Sequence, residues 1–276
     1  MELKVSIMKM FVSERRDRIM EVLHEKKRVT VKELASEMGV SEATLRTDFN
    51  TMEKMGLLKR THGGAILDDE KPGLEPENSF DVRQKKNIEE KVKIALKALE
   101  LIQPKQCLLL DASSTALELA KQLKQLSMRL TVVTTGLHTA LELKENPNLI
   151  VIMVGGVVTS RSSSIEGTLG IELLDSINID MMFTSANGFT VENGLEDFNL
   201  YEVALKKEIA KRAANIIALV DSSKLGKSSS ASFAKLEDVD KLITDAPLDH
   251  EIIQKALSAN VDVQSTEEPA SAAVRG

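Results

Sequence analysis

The stretch VTVKELASEMGVSEATLRTDFNTMEKMGLLKRTHGG, Val29 to Gly64, decides how this chain is read. Val31, Leu34, Ala35 and Met38 recur at i, i+3, i+4 and i+7, one apolar stripe along a short helix. Gly39 follows, suited to the left-handed conformation that side chains with a Cβ resist. Val40 plugs the space between this helix and the next. Ser41 is a good N-cap for the second helix, and Glu42 adds negative charge to its first turn. Leu45, Phe49 and Met52 make the inward face of that helix. Glu42, Ala43, Thr44, Arg46, Thr47 and Asn50 are left for its outer and N-terminal face. A basic stretch, Lys59 and Arg60, then runs into His62-Gly63-Gly64, which closes a hairpin between Leu57-Leu58 and Ala65-Ile66-Leu67. The pattern is a helix-turn-helix followed by a wing.

A recognition helix works through the residues of its N-terminal half. Arg46 suits guanine or phosphate, and Asn50 suits adenine or a sugar-phosphate contact. The expected DNA-facing set is Ser41, Glu42, Thr44, Arg46, Thr47, Asn50, Lys54, Lys59, Arg60 and His62. An ordinary helical hairpin with a solvated polar face has the same periodicity, so charge is a second test. Residues 1–67 carry 13 Lys/Arg against 10 Asp/Glu, a net of +3, while the rest carry 23 against 32, a net of −9. The positive balance lies where DNA would dock. The whole-chain charge of −6 excludes a nonspecific nucleic-acid coat.

A length of 276 residues allows two domains, and 42% hydrophobic with 28% charged residues is ordinary globular composition. No run of 18 apolar residues and no signal-peptide pattern is present, so a cytoplasmic location is expected. The single cysteine, Cys107, opens the apolar run CLLLD and reads as a small buried residue. The four histidines, at 24, 62, 138 and 250, are scattered, so neither a metal site nor a cofactor is expected.

Working outward, Glu14–Lys26 reads as a first helix with Ile19, Val22 and Leu23 inward. Asp68–Ser79, DDEKPGLEPENS, holds two prolines, a glycine and five acidic residues, and reads as a linker. The expected division is a winged helix-turn-helix domain at 1–67, a linker at 68–80, an α/β domain at 81–264 and a disordered tail at 265–276. Asp81–Ile102 predicts one long helix with Ile88, Val92, Ala95, Leu96 and Leu99 on one face. Beyond Pro104, strand-like runs at Leu108–Asp111, Leu130–Thr134, Leu149–Val154, Asp180–Ser185, Ile216–Asp221 and Lys241–Thr244 alternate with helical ones. Those lie at Ala116–Lys124, Thr139–Lys144, Leu169–Ser176, Leu200–Ala214 and Asp249–Ala259. Apolar strands alternating with helices predict a mostly parallel sheet covered on both faces. The fold class is therefore α/β, preceded by an all-α winged domain.

Ligands of such sheets bind beyond the carboxyl ends of the strands. The loops there are rich in hydroxyls, glycine backbone and a few cations. Asp111-Ala112-Ser113-Ser114-Thr115 runs into a helix N-terminus, a natural anion site. Thr134-Thr135-Gly136, Gly155-Gly156 with Arg161, Asn187-Gly188 and the Asp221–Lys227 loop share that edge. Taken singly, a Ser or Thr after a strand is more often a simple helix cap. Five such loops on one edge suit a phosphorylated polyol.

The helix-turn-helix resembles the N-terminal domain of the DeoR family of bacterial transcriptional repressors. Ser41, Thr44-Leu45-Arg46, Asp48, Asn50, Gly56-Leu57-Leu58 and His62-Gly63-Gly64-Ala65 carry the resemblance. Thr47 stands where a second basic residue is usual, and Phe49 where Leu is usual. Arg83 to Asp245 is similar to the sensor domain of the same family, whose fold is like that of ribose-5-phosphate isomerase and the glucosamine-6-phosphate deaminases. The elements are Asp111–Thr115, Thr134–Gly136, Gly155-Gly156, Gly167, Asn187-Gly188, Gly194-Leu195, Glu202 with Lys206, and Asp221–Lys224. Ser113 replaces the usual Gly, and Glu196 lies where many members have Thr.

The resemblance implies a homo-oligomeric (dimer or tetramer) repressor of a sugar-metabolism operon. Its partners would be double-stranded operator DNA and a phosphosugar effector that relieves repression. The expected effector set is Asp111, Ser113, Ser114, Thr115, Thr134, Thr135, Gly136, Gly155, Gly156, Arg161, Asn187, Gly188, Glu202, Lys206 and Lys224. The alternative is a sugar-phosphate isomerase or deaminase with an appended DNA-binding domain. Enolisation needs a positioned base and an electrophile. The Ser185–Gly188 loop, where the related enzymes carry acidic groups, has no carboxylate, so a binding protein is the simpler account.

Overall fold

The computed structural model describes residues 12–26, 28–54, 57–66, 79–159 and 163–267. The chain divides into two compact units, Met1–Asn78 and Ser79–Gly276. Leu67, most of the expected linker (68–78) and residues 268–276 of the expected tail lie outside the described residues.

The first unit runs α1 (Val12–Lys26), β1 (Arg28–Thr30), α2 (Val31–Met38), α3 (Glu42–Lys54), β2 (Lys59–Thr61) and β3 (Gly64–Ile66). Thr30 caps α2, its Oγ accepting from Glu33 N at 3.2 Å. Gly39 ends α2 at φ +64°, its N–H donating to the Ala35 carbonyl. The Ser41 hydroxyl accepts from Thr44 N at 3.1 Å and starts α3. Ile19, Leu23, Leu34, Leu45, Phe49 and Met52 are fully or almost fully buried in one core.

The unit carries the expected wing beside its helices, and β1, which was not expected, joins it. Its strands form an antiparallel sheet in the order β1-β3-β2, with Thr30 opposite Gly64 and Lys59 opposite Ile66. The hairpin strands sit at 59–61 and 64–66, tighter than the Leu57-Leu58 and Ala65–Leu67 flanks expected. β1 is three residues long, too short to show a period of two. Its effect is visible at Gly64, where a Cβ would lie 1.9 Å from the Val29 carbonyl oxygen.

The second unit opens with α4 (Phe80–Lys85) and α5 (Ile88–Leu99), then β4 (Cys107–Leu110), α6 (Ser114–Leu123), β5 (Leu130–Thr134), α7 (Leu137–Leu143) and β6 (Leu149–Met153). A 3₁₀ helix at Ile171–Ser176 leads to β7 (Met181–Thr184), β8 (Gly188–Thr190) and β9 (Gly194–Asp197). Then come α8 (Leu200–Ala210), β10 (Ile216–Leu219), β11 (Ala231–Ala234), β12 (Lys241–Thr244), α9 (Glu251–Ser258) and β13 (Asp262–Ser265). Seven strands form one parallel sheet in the order β13-β12-β10-β7-β4-β5-β6. Leu108 and Leu110 point to the cluster that holds Ile94, Ala98 and Leu119, while Leu109 points to the cluster of Leu205 and Ile209. The sheet is thus covered on both faces, as its near-continuous apolar strands require.

The helices and strands differ from expectation in several places. The helix expected at 81–102 is two helices, broken where Asn87 takes φ +53°. The buried face of α5 is Lys91, Ile94, Ala95 and Ala98, while Ile88 and Leu96 are exposed. Lys91 lies on the buried face, which turns the stripe from the one expected. The helix expected at 169–176 is 3₁₀ from Ile171, and that expected at 200–214 ends at Ala210. A second, antiparallel sheet, β11-β9-β8, and the edge strand β13 were not expected. GFT, GLED and DVQS are short and partly polar, so they show no strand period.

Candidate functional site

The recognition helix α3 presents the residues expected of it. Ser41, Glu42, Arg46, Thr47, Asn50, Lys59, Arg60 and His62 are exposed and Thr44 is half-buried, while the Lys54 side chain is outside the described set. The polar groups are engaged with one another. Arg46 pairs with Glu42 at 2.8 Å, and the Arg60 guanidinium donates to the Asn50 side-chain oxygen. The Arg60 amide donates to Glu53 at 2.8 Å, tying the wing strand β2 to α3. Thr47 donates to the Ala43 carbonyl at 3.0 Å, an intrahelical bond. Asp48, on the opposite side of the helix, is buried and receives Arg15 at 2.5 Å and Arg16 at 3.4 Å, both on α1. That anchor sets α3 against α1. Asp48 was read only as part of a family pattern.

The expected effector residues fall into two groups at the carboxyl ends of the strands. The first surrounds Lys206, a buried lysine on α8. Its ammonium donates to Asp197 at 2.8 Å and to the Ser185 carbonyl at 2.9 Å, and pairs with Asp111 at 3.0 Å. The Phe233 ring lies 4.7 Å from the same nitrogen. Asp111 also accepts from Thr184 Oγ at 2.7 Å, Ser185 N at 3.1 Å and Ser113 N at 2.9 Å. Asn187 donates to Asp197 at 2.6 Å.

Burial opposes the charge on Lys206, but Asp111, Asp197 and Glu202 outweigh it and hold its pKa above the ordinary lysine value. Burial likewise opposes ionisation of Asp111, and Lys206 with the Ser113 and Thr184 hydrogen bonds overcomes it, so Asp111 titrates below the usual carboxylate range. Three acceptors surround the Lys206 ammonium, so it organises three strand-end loops. Thr134 does similar work, donating to the Leu110 carbonyl at 2.8 Å and accepting from Gly136 N at 3.0 Å. Ser113 caps α6 through Ala116 N at 3.1 Å, and Ser114, Thr115, Thr135 and Gly136 are buried beside it. Glu202, half-buried, accepts from Ser164 at 2.9 Å and Asn199 at 3.2 Å, and burial raises its pKa. Gly155 and Gly156 are exposed after β6 and Gly188 is buried in β8. Arg161 lies outside the described residues.

The second group centres on Asp221, after β10, and contains Lys224 of the expected set. Asp221 Oδ1 accepts from Asn87 at 2.9 Å and from both the amide and hydroxyl of Ser223. Its other oxygen, Oδ2, is buried without a hydrogen-bond partner. Lys91 donates to the carbonyls of Arg83 and Lys86 and so holds the α4–α5 joint. Burial, then the nearby cations Lys224 and Arg83, lowers the Lys91 pKa to about 8 against the pull of Asp221. Burial, then Arg83, Lys86 and Lys227, lowers Lys224 as well, again against Asp221. Arg83, Lys86, Asn87 and Lys91 were missed as site residues. The signal for Lys91 was available, since it stands at i−3, i−4 and i−7 to Ile94, Ala95 and Ala98.

Among the described residues no group of three or more His, Cys, Asp or Glu is placed to hold a metal ion, and no helix is long and apolar enough to cross a membrane. A winged helix-turn-helix joined to an α/β unit with a polar strand-end site defines a transcriptional regulator with a sensor domain. Residues 15–71 match the model of the DeoR-like helix-turn-helix domain, and residues 86–246 match the DeoR C terminal sensor domain. The chain belongs to the DeoR family of transcriptional regulators. It is 45% identical over 258 residues to the HTH-type transcriptional regulator GolR of Listeria innocua, covering 94% of this chain and 100% of that one. It is 30% identical over 252 residues to a putative aga operon transcriptional repressor of Escherichia coli O157:H7, covering 91% and 93%. A ribose 5-phosphate isomerase A from Methanocaldococcus jannaschii aligns at TM-score 0.38 and 18% identity over 50% of this chain and 55% of that one, a likeness too distant to say more.

Proposed function

We propose that this chain is a cytoplasmic, homo-oligomeric (dimer or tetramer) repressor of a sugar-metabolism operon. A phosphorylated sugar bound at the strand ends of the second unit releases it from double-stranded operator DNA. In this reading residues 1–67 bind DNA, 68–80 link, 81–264 sense the effector and 265–276 form a tail.

One observation carries the choice of ligand. Asp221 Oδ2 is buried without a hydrogen-bond partner, and the two lysines coupled to it by charge, Lys91 and Lys224, are lowered in pKa by burial and then by surrounding cations, Arg83 among them for both. Mutually repelling cations favour an anion, and an orphan carboxylate oxygen favours a hydroxyl donor. One molecule that supplies both is a phosphorylated polyol. The α6 N-terminus, with Ser114 and Thr115, adds oriented N–H groups for the phosphate. Glu118 of α6 acts electrostatically on Lys91, so helix and cations share a neighbourhood.

The carboxylates near the Ser185–Gly188 loop, Asp111 and Asp197, are both engaged by Lys206. An aspartate held below the usual range and fully hydrogen-bonded is an anchor, not a general base poised near neutral pH. This favours a binding protein over an isomerase or deaminase.

The effector shifts DNA affinity only by as much as it prefers one conformational state over another. Arg83, Lys86 and Lys91 frame the joint between α4 and α5, the first elements after the linker. An effector held there acts directly on the segment that continues into the linker.

A thermal-shift panel of pentose and hexose phosphates, their parent sugars and inorganic phosphate tests the reading. A true effector at 100 times its Kd adds about 2.7 kcal/mol of apparent stability. Stabilisation by parent sugars alone, or by no compound in the panel, contradicts it.

A further inference from the structure

The two edges of the parallel sheet are unlike. β13, DVQS, is polar, and its exposed Asp262 pairs with Lys241 of β12. Such an edge is guarded against pairing with another chain. β6, LIVIM, is apolar from end to end and hydrogen-bonds to no strand but β5 among the described residues. The stretch Leu149–Val158 has no charged residue at all. Ile150 is 64% exposed and Val157 and Val158 about half exposed, while the other four β6 residues are half-buried.

The apolar surface continues beyond the strand. A Cβ on Gly170 would lie 2.2 Å from the Gly155 carbonyl oxygen, so the start of the 3₁₀ helix is pressed against the loop after β6. Leu169, the neighbour of Gly170 in sequence, is 79% exposed.

We infer that the β6 edge is the seat of a second copy of this chain, the two β6 strands pairing antiparallel across a two-fold axis. Charge decides between occupants. An edge without charged side chains has no cation to draw DNA phosphates or a sugar phosphate, and no counter-charge for a charged peptide. It is complementary to itself. A two-fold about Val151 sets Leu149 opposite Met153 and Ile150 opposite Ile152, so no like charges meet and each cross-strand pair is apolar. Antiparallel pairing also satisfies the outward N–H and C=O groups that β5 does not reach. The inference rests on the reading as a DNA-binding regulator in one respect: a two-fold dimer presents two recognition helices, as a symmetric operator requires.

The test is the solution mass of the full chain, by light scattering and sedimentation at micromolar concentration, for the wild type and the Ile150→Lys and Ile150→Glu variants. Ile150 is exposed, so neither variant disturbs the monomer core, and circular dichroism verifies this. The expected result is a wild-type dimer or a multiple of one, and half that mass in each variant. An unpaired charge in an apolar strand pair weakens association by at least about tenfold. Mixing the two variants restores the wild-type mass through a Lys–Glu pair, a recovery that misfolded protein would not show. A monomeric wild type, unchanged mass in both variants, or failure of the mixture to recover overturns the inference. None of these outcomes touches sugar-phosphate binding, which the thermal-shift panel reads separately in the same variants.

Discussion

At the scale of single residues, Lys206 and Lys91 show how charge is placed. Lys206 bridges Asp111 and Asp197 in a buried site. Removing one partner of such a group leaves uncompensated charge behind, so Lys206→Met is expected to cost about 3–5 kcal/mol in denaturant unfolding. A loss under 1 kcal/mol would show that the two aspartates do not depend on it. The raised pKa of Lys206 contributes stability that is complete below the unfolded value and lost only as pH rises through the folded one. The depressed pKa of Asp111 contributes stability present above its unfolded value and lost as pH falls through the folded one. The network is therefore intact across neutral pH. Lys91 behaves oppositely. Its folded pKa of about 8 lies below the unfolded one, so from about pH 8 to the unfolded value folding sheds a proton and stability rises with pH. The same deprotonation removes a cation from the proposed effector site, so sugar-phosphate affinity is expected to fall as pH rises through about 8. Calorimetry at pH 7 and pH 9 reads this directly, and equal affinity would place Lys91 outside the site. Asp111 and Lys206 were legible from strand-end position and family pattern. Their pairing with each other was not, because sequence shows no hydrogen-bond partners.

At the scale of elements, the helix-turn-helix was legible almost to the residue. Its signals are local: a stripe at period 3.6, a left-handed glycine and a hydroxyl cap. Ser41→Ala should cost about 1 kcal/mol in the melting of the first unit, the usual value of an N-cap. What the sequence hid is non-local. The pairing of β1 with β3 depends on Gly64 meeting Val29 across the wing, and three-residue strands carry no pattern. Gly64→Ala is therefore expected to separate the wing from β1 and to weaken operator binding more than Ser41→Ala does. Gel shifts with both variants decide it, and equal binding by Gly64→Ala and wild type would mean that the sheet does not position the wing. The break between α4 and α5 was hidden for a related reason. Asn87 takes a left-handed conformation because its side chain is held by Asp221 and Ser223, more than 130 residues away.

At the scale of the whole molecule, the alternation of apolar strands and helices was enough to predict a parallel sheet covered on both faces. The charge asymmetry supported the helix-turn-helix as the part that meets DNA, and the family match at residues 15–71 agrees. The excursion sheet of β8, β9 and β11 was not legible, yet β9 supplies Asp197 to the Lys206 network. In the proposed function Arg46 and Asn50 read DNA, while Lys224 and Asp221 read a phosphorylated sugar. The most direct measurement is fluorescence anisotropy of a DNA duplex, selected by the protein from a random pool, titrated with a panel of sugar phosphates. Wild type and Lys224→Ala should bind the duplex equally without ligand. At least one sugar phosphate should release it from wild type and leave Lys224→Ala bound. Release of both proteins at the same concentration, or of neither by any sugar phosphate, would contradict the account.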